Sequence, residues 1–242
     1  EVGTIEPIAE ISAAVKQKNR KTLIFTDAVQ AAGTLRLDVR ELGVDMLSLS
    51  GHKLQAPKGV GALYIRNGIR VSNLIDGGGQ ERSRRGGTEN LPYIIGLAKA
   101  LEDAVAGIDE NARVSAMRDR LIDGILDKIP YTRLNGAREQ RLPGNVNISF
   151  DYIEGESLLL WLDMNGICAS TGSACSSASL EASHVLLALG VPVESAHGSL
   201  RLSLGRDNTD DDVDYILQVL PGIVERLRNM SPLYEKVNGS KI

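Results

Sequence analysis

Apolar residues recur along this chain with two periods, and the changes between them mark its elements. Pro7 followed by Ile8, Ile11 and Val15 predicts a helix with proline in its first turn. Short uninterrupted apolar runs at 23–25, 46–49 and 61–65 predict strands buried on both faces. Residues 39–42 suit a short helix or turn, and 75–87 a long polar loop holding Arg82, Arg84 and Arg85. Ile94, Leu97, Ala98, Leu101 and Val105 form one helical stripe; Val114, Met117, Leu121, Ile125 and Ile129 form another. Buried strands alternating with helices predict a layered α/β domain.

The pattern changes after Pro130. Residues 146–150 alternate like a strand with one wet face, and so do 200–204. Residues 158–162 and 185–189 are short apolar helices, the second closed by Gly190. A last helix begins at the N-cap Thr209 with Asp210, Asp211 and Asp212 in its first turn, and Pro221 should kink or split it. The expected organisation is a large domain over 1–130, ending in two linking helices, and a small α+β domain over 131–242.

Bulk properties narrow the function classes. The net charge of -4 gives no electrostatic case for nucleic acid or an anionic membrane, and no apolar run has the length of a membrane span. Two cysteines, Cys168 and Cys175, do not make a disulfide framework and fit a reducing, cytoplasmic setting. Their spacing from each other and from His184 and His197 does not match a metal site. The chain opens without methionine at a polar turn, and an N-terminal portion is expected to precede it.

The candidate chemistry sits at strand ends. Asp27 ends one strand-like run, with Gln30 following; Ser50-Gly51-His52-Lys53 follows another. An acid and a lysine delivered by two apolar strands suit pyridoxal phosphate. The lysine binds the aldehyde, and the acid keeps the ring nitrogen protonated so that the ring accepts electrons. The small polar neighbours of Lys53 suit a phosphate. A lysine partly desolvated beside such donors can form an imine. Each residue also has a plainer reading: Asp27 as a helix cap, Lys53 as a surface lysine at a strand end. Cys175 lies among small residues and suits an exposed nucleophilic thiol, or a structural cysteine in a tight turn. Arg201, between Leu200 and Leu202, suits a carboxylate clamp or a solvated edge residue.

Taken together, Thr26-Asp27-Ala28-Val29-Gln30, Ser50-Gly51-His52-Lys53, Gly172-Ser173-Ala174-Cys175 and the stretches 57–64, 77–82, 85–90 and 201–205 resemble the cysteine desulfurases of the NifS/IscS type. The long segment around Cys175 is similar to the first group of that family; Gly51 stands where the family usually has alanine. The resemblance implies a fold-type-I pyridoxal phosphate enzyme: part of its large mixed-sheet domain, plus its small C-terminal α+β domain, working as a homodimer. It implies that Lys53 holds the cofactor and moves the α-proton. Asp27 pairs with the ring nitrogen, Gln30 with the ring hydroxyl, Ser50, Gly51 and His52 with the phosphate, and Thr88 with the phosphate of the other subunit. Arg201 binds the substrate carboxylate. Cys175 takes sulfur from L-cysteine as a persulfide, leaving L-alanine, and passes it to an acceptor such as an iron–sulfur scaffold or a thiolation system. Alternative readings are a selenocysteine lyase, another fold-type-I enzyme, or a fragment without turnover.

Overall fold

The structure is a computed structural model that describes residues 1–172 and 181–238. The chain divides into two compact units, one formed by Glu6–Asp109 and the other by Glu1–Ile5 with Glu110–Ile242.

The unit Glu6–Asp109 holds α1 (Ile8–Lys18), β1 (Phe25–Asp27), β2 (Met46–Ser50), β3 (Gly61–Ile65), the single turn α2 (Gln80–Ser83) and α3 (Leu91–Ala106). β1 runs parallel to β2, and β3 antiparallel to it, with Phe25 opposite Met46 and Met46 opposite Ile65. One face of this sheet is packed: Leu47 and Tyr64 meet Ala28, Val44 and Ile8. The other face is not. Phe25 is 55% exposed and Leu63 50%, so the expectation of strands buried on both faces is corrected. Side chains alternate along each strand and residues opposite one another share a face, so Phe25 and Leu63 lie on the same one.

Asp45 ties the packed side together. It accepts from Lys16 Nζ and from the Ile24 N–H at 2.9 Å, and Arg66 Nε lies 3.3 Å away. Burial pushes its carboxyl up, but the hydrogen bonds from Lys16 and Ile24 and the charges of Lys16 and Arg66 outweigh that and hold it below its ordinary value.

The second unit holds α4 (Asn111–Lys128), β4 (Thr132–Leu134), β5 (Asn145–Phe150), α5 (Gly155–Asp163), α6 (His184–Ala188), α7 (Val193–His197), β6 (Ser199–Ser203), α8 (Asp210–Asn229) and α9 (Pro232–Asn238). The sheet order is β4-β5-β6, all antiparallel. Met117, Leu121 and Ile125 of α4, Leu158 and Leu162 of α5, and Val213, Leu220 and Val224 of α8 pack on Ile148, Phe150, Leu200 and Leu202. Each fully buried leucine here contributes about 1.5–3 kcal/mol. The sequence boundary at 130 therefore differs from the contact boundary: α4 buries its stripe in the second core, and Glu1–Ile5 joins that unit as well.

Two sequence expectations change here. The polar face of β5 is not wet, because Asn147 is 0% exposed and Ser149 1%. Asn135 Nδ2 donates to Asn147 Oδ1 and to Ser149 Oγ, so burial is offset by hydrogen bonds. The other change is in α8, which starts in a capping box between Thr209 and Asp212 and runs through Pro221 as one helix. Proline removes the donor to the carbonyl four residues back, that of Leu217, and Lys128 Nζ donates to this oxygen instead, at 3.4 Å.

Two buried arginines hold the connection between β4 and β5. Arg118 Nη1 donates to the carbonyls of Arg141 and Leu142, and Arg141 donates to those of Ala137, Asn135 and Asn145. Burial, and then the charges of Arg118 and Arg138, push the Arg141 guanidinium down to about 10.

Candidate functional site

The parallel pairing of β1 and β2 brings their carboxyl ends together. Asp27 lies opposite Ser48, and the Ala28 N–H donates to the Ser48 carbonyl at 2.9 Å. Ligands of α/β sheets gather beyond such ends. Asp27 Oδ1 accepts from the Val29 N–H at 2.8 Å, and the residues after it form turns rather than the helix that the capping reading expected. Its other oxygen has no hydrogen-bond partner among the described residues and remains available to a ligand. Gln30, one turn on, is exposed.

β2 passes directly into a 3-10 turn, Gly51–Leu54, closed by Gln55 in a left-handed conformation at φ 65. Ser50 Oγ and His52 Nδ1 are 2.8 Å apart. Gly51 is buried: a Cβ there would lie 3.0 Å from the Val60 carbonyl oxygen, and its own N–H is spent on that oxygen at 2.9 Å. Gly51 therefore serves the site by its small size rather than as a donor. His52 and Lys53 are exposed, so Lys53 is not the partly desolvated lysine expected from the apolar run before it. Among the described residues the Lys53 ammonium has no hydrogen bond or ion pair.

Leu54 anchors this turn, and sequence reasoning passed over it. It is 8% exposed and packs with Ala32 and Leu97. Gly33, at φ +76, leaves room for it: a Cβ there would come within 2.7 Å of Leu54 Cδ2. The signal was present, as Leu54 is an isolated apolar residue inside a polar stretch.

Thr88 is exposed in the loop between α2 and α3 of the same unit. Arg201 belongs to the other unit. It sits on β6 opposite Asn147, and its backbone pairs both ways with Ser170, at 2.6 and 3.1 Å. Its Nε is buried without a hydrogen-bond partner among the described residues. Cys175 lies outside the described residues. Asp27, Gln30, Ser50, Gly51, His52 and Lys53 thus gather at one end of one sheet, with Thr88 on a separate loop.

The aminotransferase class-V family model matches residues 1–216. The chain is 60% identical over 237 residues to cysteine desulfurase IscS of Methanosarcina thermophila, covering 98% of this chain and 58% of that protein. It is 58% identical over 238 residues to cysteine desulfurase IscS of Clostridium botulinum strain Hall, covering 97% of this chain and 59% of that protein. A solved NifS-like protein superposes with a TM-score of 0.84 at 39% identity, over 94% of this chain and 59% of its own. The chain therefore spans less than two thirds of the length of the curated relatives it matches. Its fold is that of the NifS-like fold-type-I enzymes, mixed α/β. No described helix is long and apolar enough to cross a membrane.

Proposed function

Because this chain belongs to the aminotransferase class-V family, we propose that it carries the lysine-bearing cofactor site and the sulfur-accepting cysteine of a pyridoxal phosphate-dependent cysteine desulfurase. The observation that carries this reading is the joint delivery of Asp27 and Lys53 by adjacent parallel strands, next to Ser50 and His52. The residues fit the cofactor: a free carboxylate oxygen, an unengaged amine and a hydroxyl–imidazole pair meet at one sheet end.

When bound, pyridoxal phosphate supplies an electron-accepting ring. Asp27 would hold the proton of the ring nitrogen, and Gln30 would face the ring hydroxyl. Ser50 and His52 would donate to the phosphate, with Gly51 giving the backbone its close approach. Thr88 would serve the phosphate of a second copy in a homodimer. Lys53 Nζ would hold the cofactor and then, as a free amine, move the substrate α-proton. Arg201 would clamp the substrate carboxylate. The Cys175 thiolate would bond to the substrate sulfur as the carbon–sulfur bond of L-cysteine breaks. The electron pair stays on carbon, which takes a proton and leaves as L-alanine; Cys175 is oxidised to a persulfide. An acceptor protein, such as an iron–sulfur scaffold, would take that sulfur in the cytoplasm. The lysine-bearing part and the small C-terminal domain would divide the work between cofactor and thiol.

The test is the visible spectrum of the cofactor-loaded protein before and after L-cysteine, with mass analysis of Cys175. Lys53→Ala should remove the bound-cofactor band, whereas Cys175→Ser should keep it and lose the persulfide. A band that survives Lys53→Ala, or normal desulfuration by Cys175→Ser, would overturn the assignment.

A further inference from the structure

Glu1 is held more firmly than a loop residue requires. Its carbonyl accepts from Asn145 Nδ2 at 3.1 Å and Asn147 Nδ2 at 3.4 Å. Val2, 8% exposed, packs with Leu186, Val191 and Ala196. Thr4 bridges Arg141, the Leu142 N–H donates to the Gly3 carbonyl, and the Ile5 N–H donates to that of Gln140. A backbone fixed on both sides aims its side chain, and the Glu1 carboxylate points at two places that are remote in sequence.

The first is Ser183, the N-cap of α6. Ser183 Oγ donates to Glu1 Oε1 at 2.5 Å and accepts from the Leu186 N–H at 3.4 Å. An ionised acceptor polarises the hydroxyl and strengthens the cap bond it receives. The second is Gly172, which is buried and faces the same carboxylate: a Cβ there would stand 3.5 Å from Glu1 Oε1. Gly172 is itself tied to β6. Its N–H donates to Ser170 Oγ, its carbonyl accepts from that hydroxyl, and Ser170 pairs with the Arg201 backbone. Ser199 Oγ secures the residue before it, donating to the Thr171 carbonyl at 2.6 Å. Hydrogen bonds thus run from Arg201 through Ser170 to Gly172, which lies beside the Glu1 carboxylate, and a separate hydrogen bond joins that carboxylate to Ser183.

Cys175 lies in sequence between the two ends that meet at Glu1. We propose that the Glu1 carboxylate is a positioning residue: by joining Ser183 to the Gly172 side, it fixes both flanks of the segment bearing Cys175 in one frame with Arg201. The proposal rests on the reading of Cys175 as the sulfur acceptor. A thiol must meet the substrate sulfur in line, and a displacement of about 1 Å can cost up to about a hundredfold in rate.

The test uses the cofactor-loaded enzyme with Glu1→Gln, Ser183→Ala and the double variant. Single-turnover persulfide formation on Cys175 should fall on the order of tenfold in each single variant, while the spectral response to L-cysteine keeps its amplitude and midpoint. The double variant should be no slower than the slower single one, as expected when two residues act through one bond. Exchange of the Leu186 amide should speed up in Glu1→Gln. Persulfide formation at the parent rate in Glu1→Gln overturns the proposal, as do losses that multiply in the double variant. If the parent enzyme gains no persulfide on Cys175, the sulfur-acceptor reading falls instead. The Leu186 exchange in Glu1→Gln then still decides whether the tether exists.

Discussion

Lys53 owes its place to the residue after it. In the turn Gly51–Leu54 the two functional candidates, His52 and Lys53, are exposed, and only Gly51 and Leu54 are buried. Truncating Leu54 removes the contacts with Ala32 and Leu97 and leaves a cavity beside Gly33. Leu54→Ala should destabilise the protein by about 2–4 kcal/mol in urea denaturation. The same variant, still folded at low urea, should take up pyridoxal phosphate more weakly in an absorbance titration; unaltered uptake would mean that other contacts hold the turn. The placement of Asp27 and Lys53 at strand ends was legible in the sequence because strand ends and polar motifs are local. The roles of Leu54 and Glu1 were not, since each depends on segments far away in the chain. Arg201 was half legible: its residue type admitted a clamp, but only the unpartnered buried Nε favours that reading over a solvated edge.

Among the elements, the helices were read most securely, because a long apolar stripe admits few other arrangements. The stripes over Ile94 to Val105 and Val114 to Ile129 match α3 and α4 closely. The helix is not split at Pro221, and the reason is tertiary. The carbonyl it leaves without a donor is met by Lys128 of α4, which no local rule anticipates. Pro221→Ala should restore the internal bond and stabilise the protein by about 1–3 kcal/mol in chemical denaturation. Lys128→Met should cost less in that background than in the parent, because the Leu217 oxygen then has its own helical donor. Equal costs would mean that Lys128 contributes by packing alone. β5 erred the other way. Its alternation was real, but polarity was equated with water, whereas Asn135 and the carbonyl of Glu1 supply the partners for Asn147.

At the scale of the whole molecule, the α/β class was legible, while the division between the two contact units was not. The unit Glu6–Asp109 is one unbroken stretch set between the two parts of the other unit, so sequence order hides the membership of Glu1–Ile5. The exposure of Phe25 and Leu63 was not legible either, since an apolar run looks alike whether one face is packed or both. The connectivity of the units also sets a timetable for assembly. Thr4 receives the Ala137 N–H across 133 positions, and Asn145 reaches Glu1 across 144. During synthesis at about 5–20 residues per second, Glu1–Ile5 leaves the ribosome well before its partners exist, while the unit Glu6–Asp109 can close on itself. In refolding, closing so long a loop is entropically slow as well. Pulse-labelled hydrogen exchange should therefore find the Ile5 and Leu142 amides protected later than Ala28 and Asp45; simultaneous protection would contradict this order. The hydrogen bonds that hold Glu1 are then among the last to form, and the strand ends that carry Asp27 and Lys53 are complete before Ser183 gains its partner.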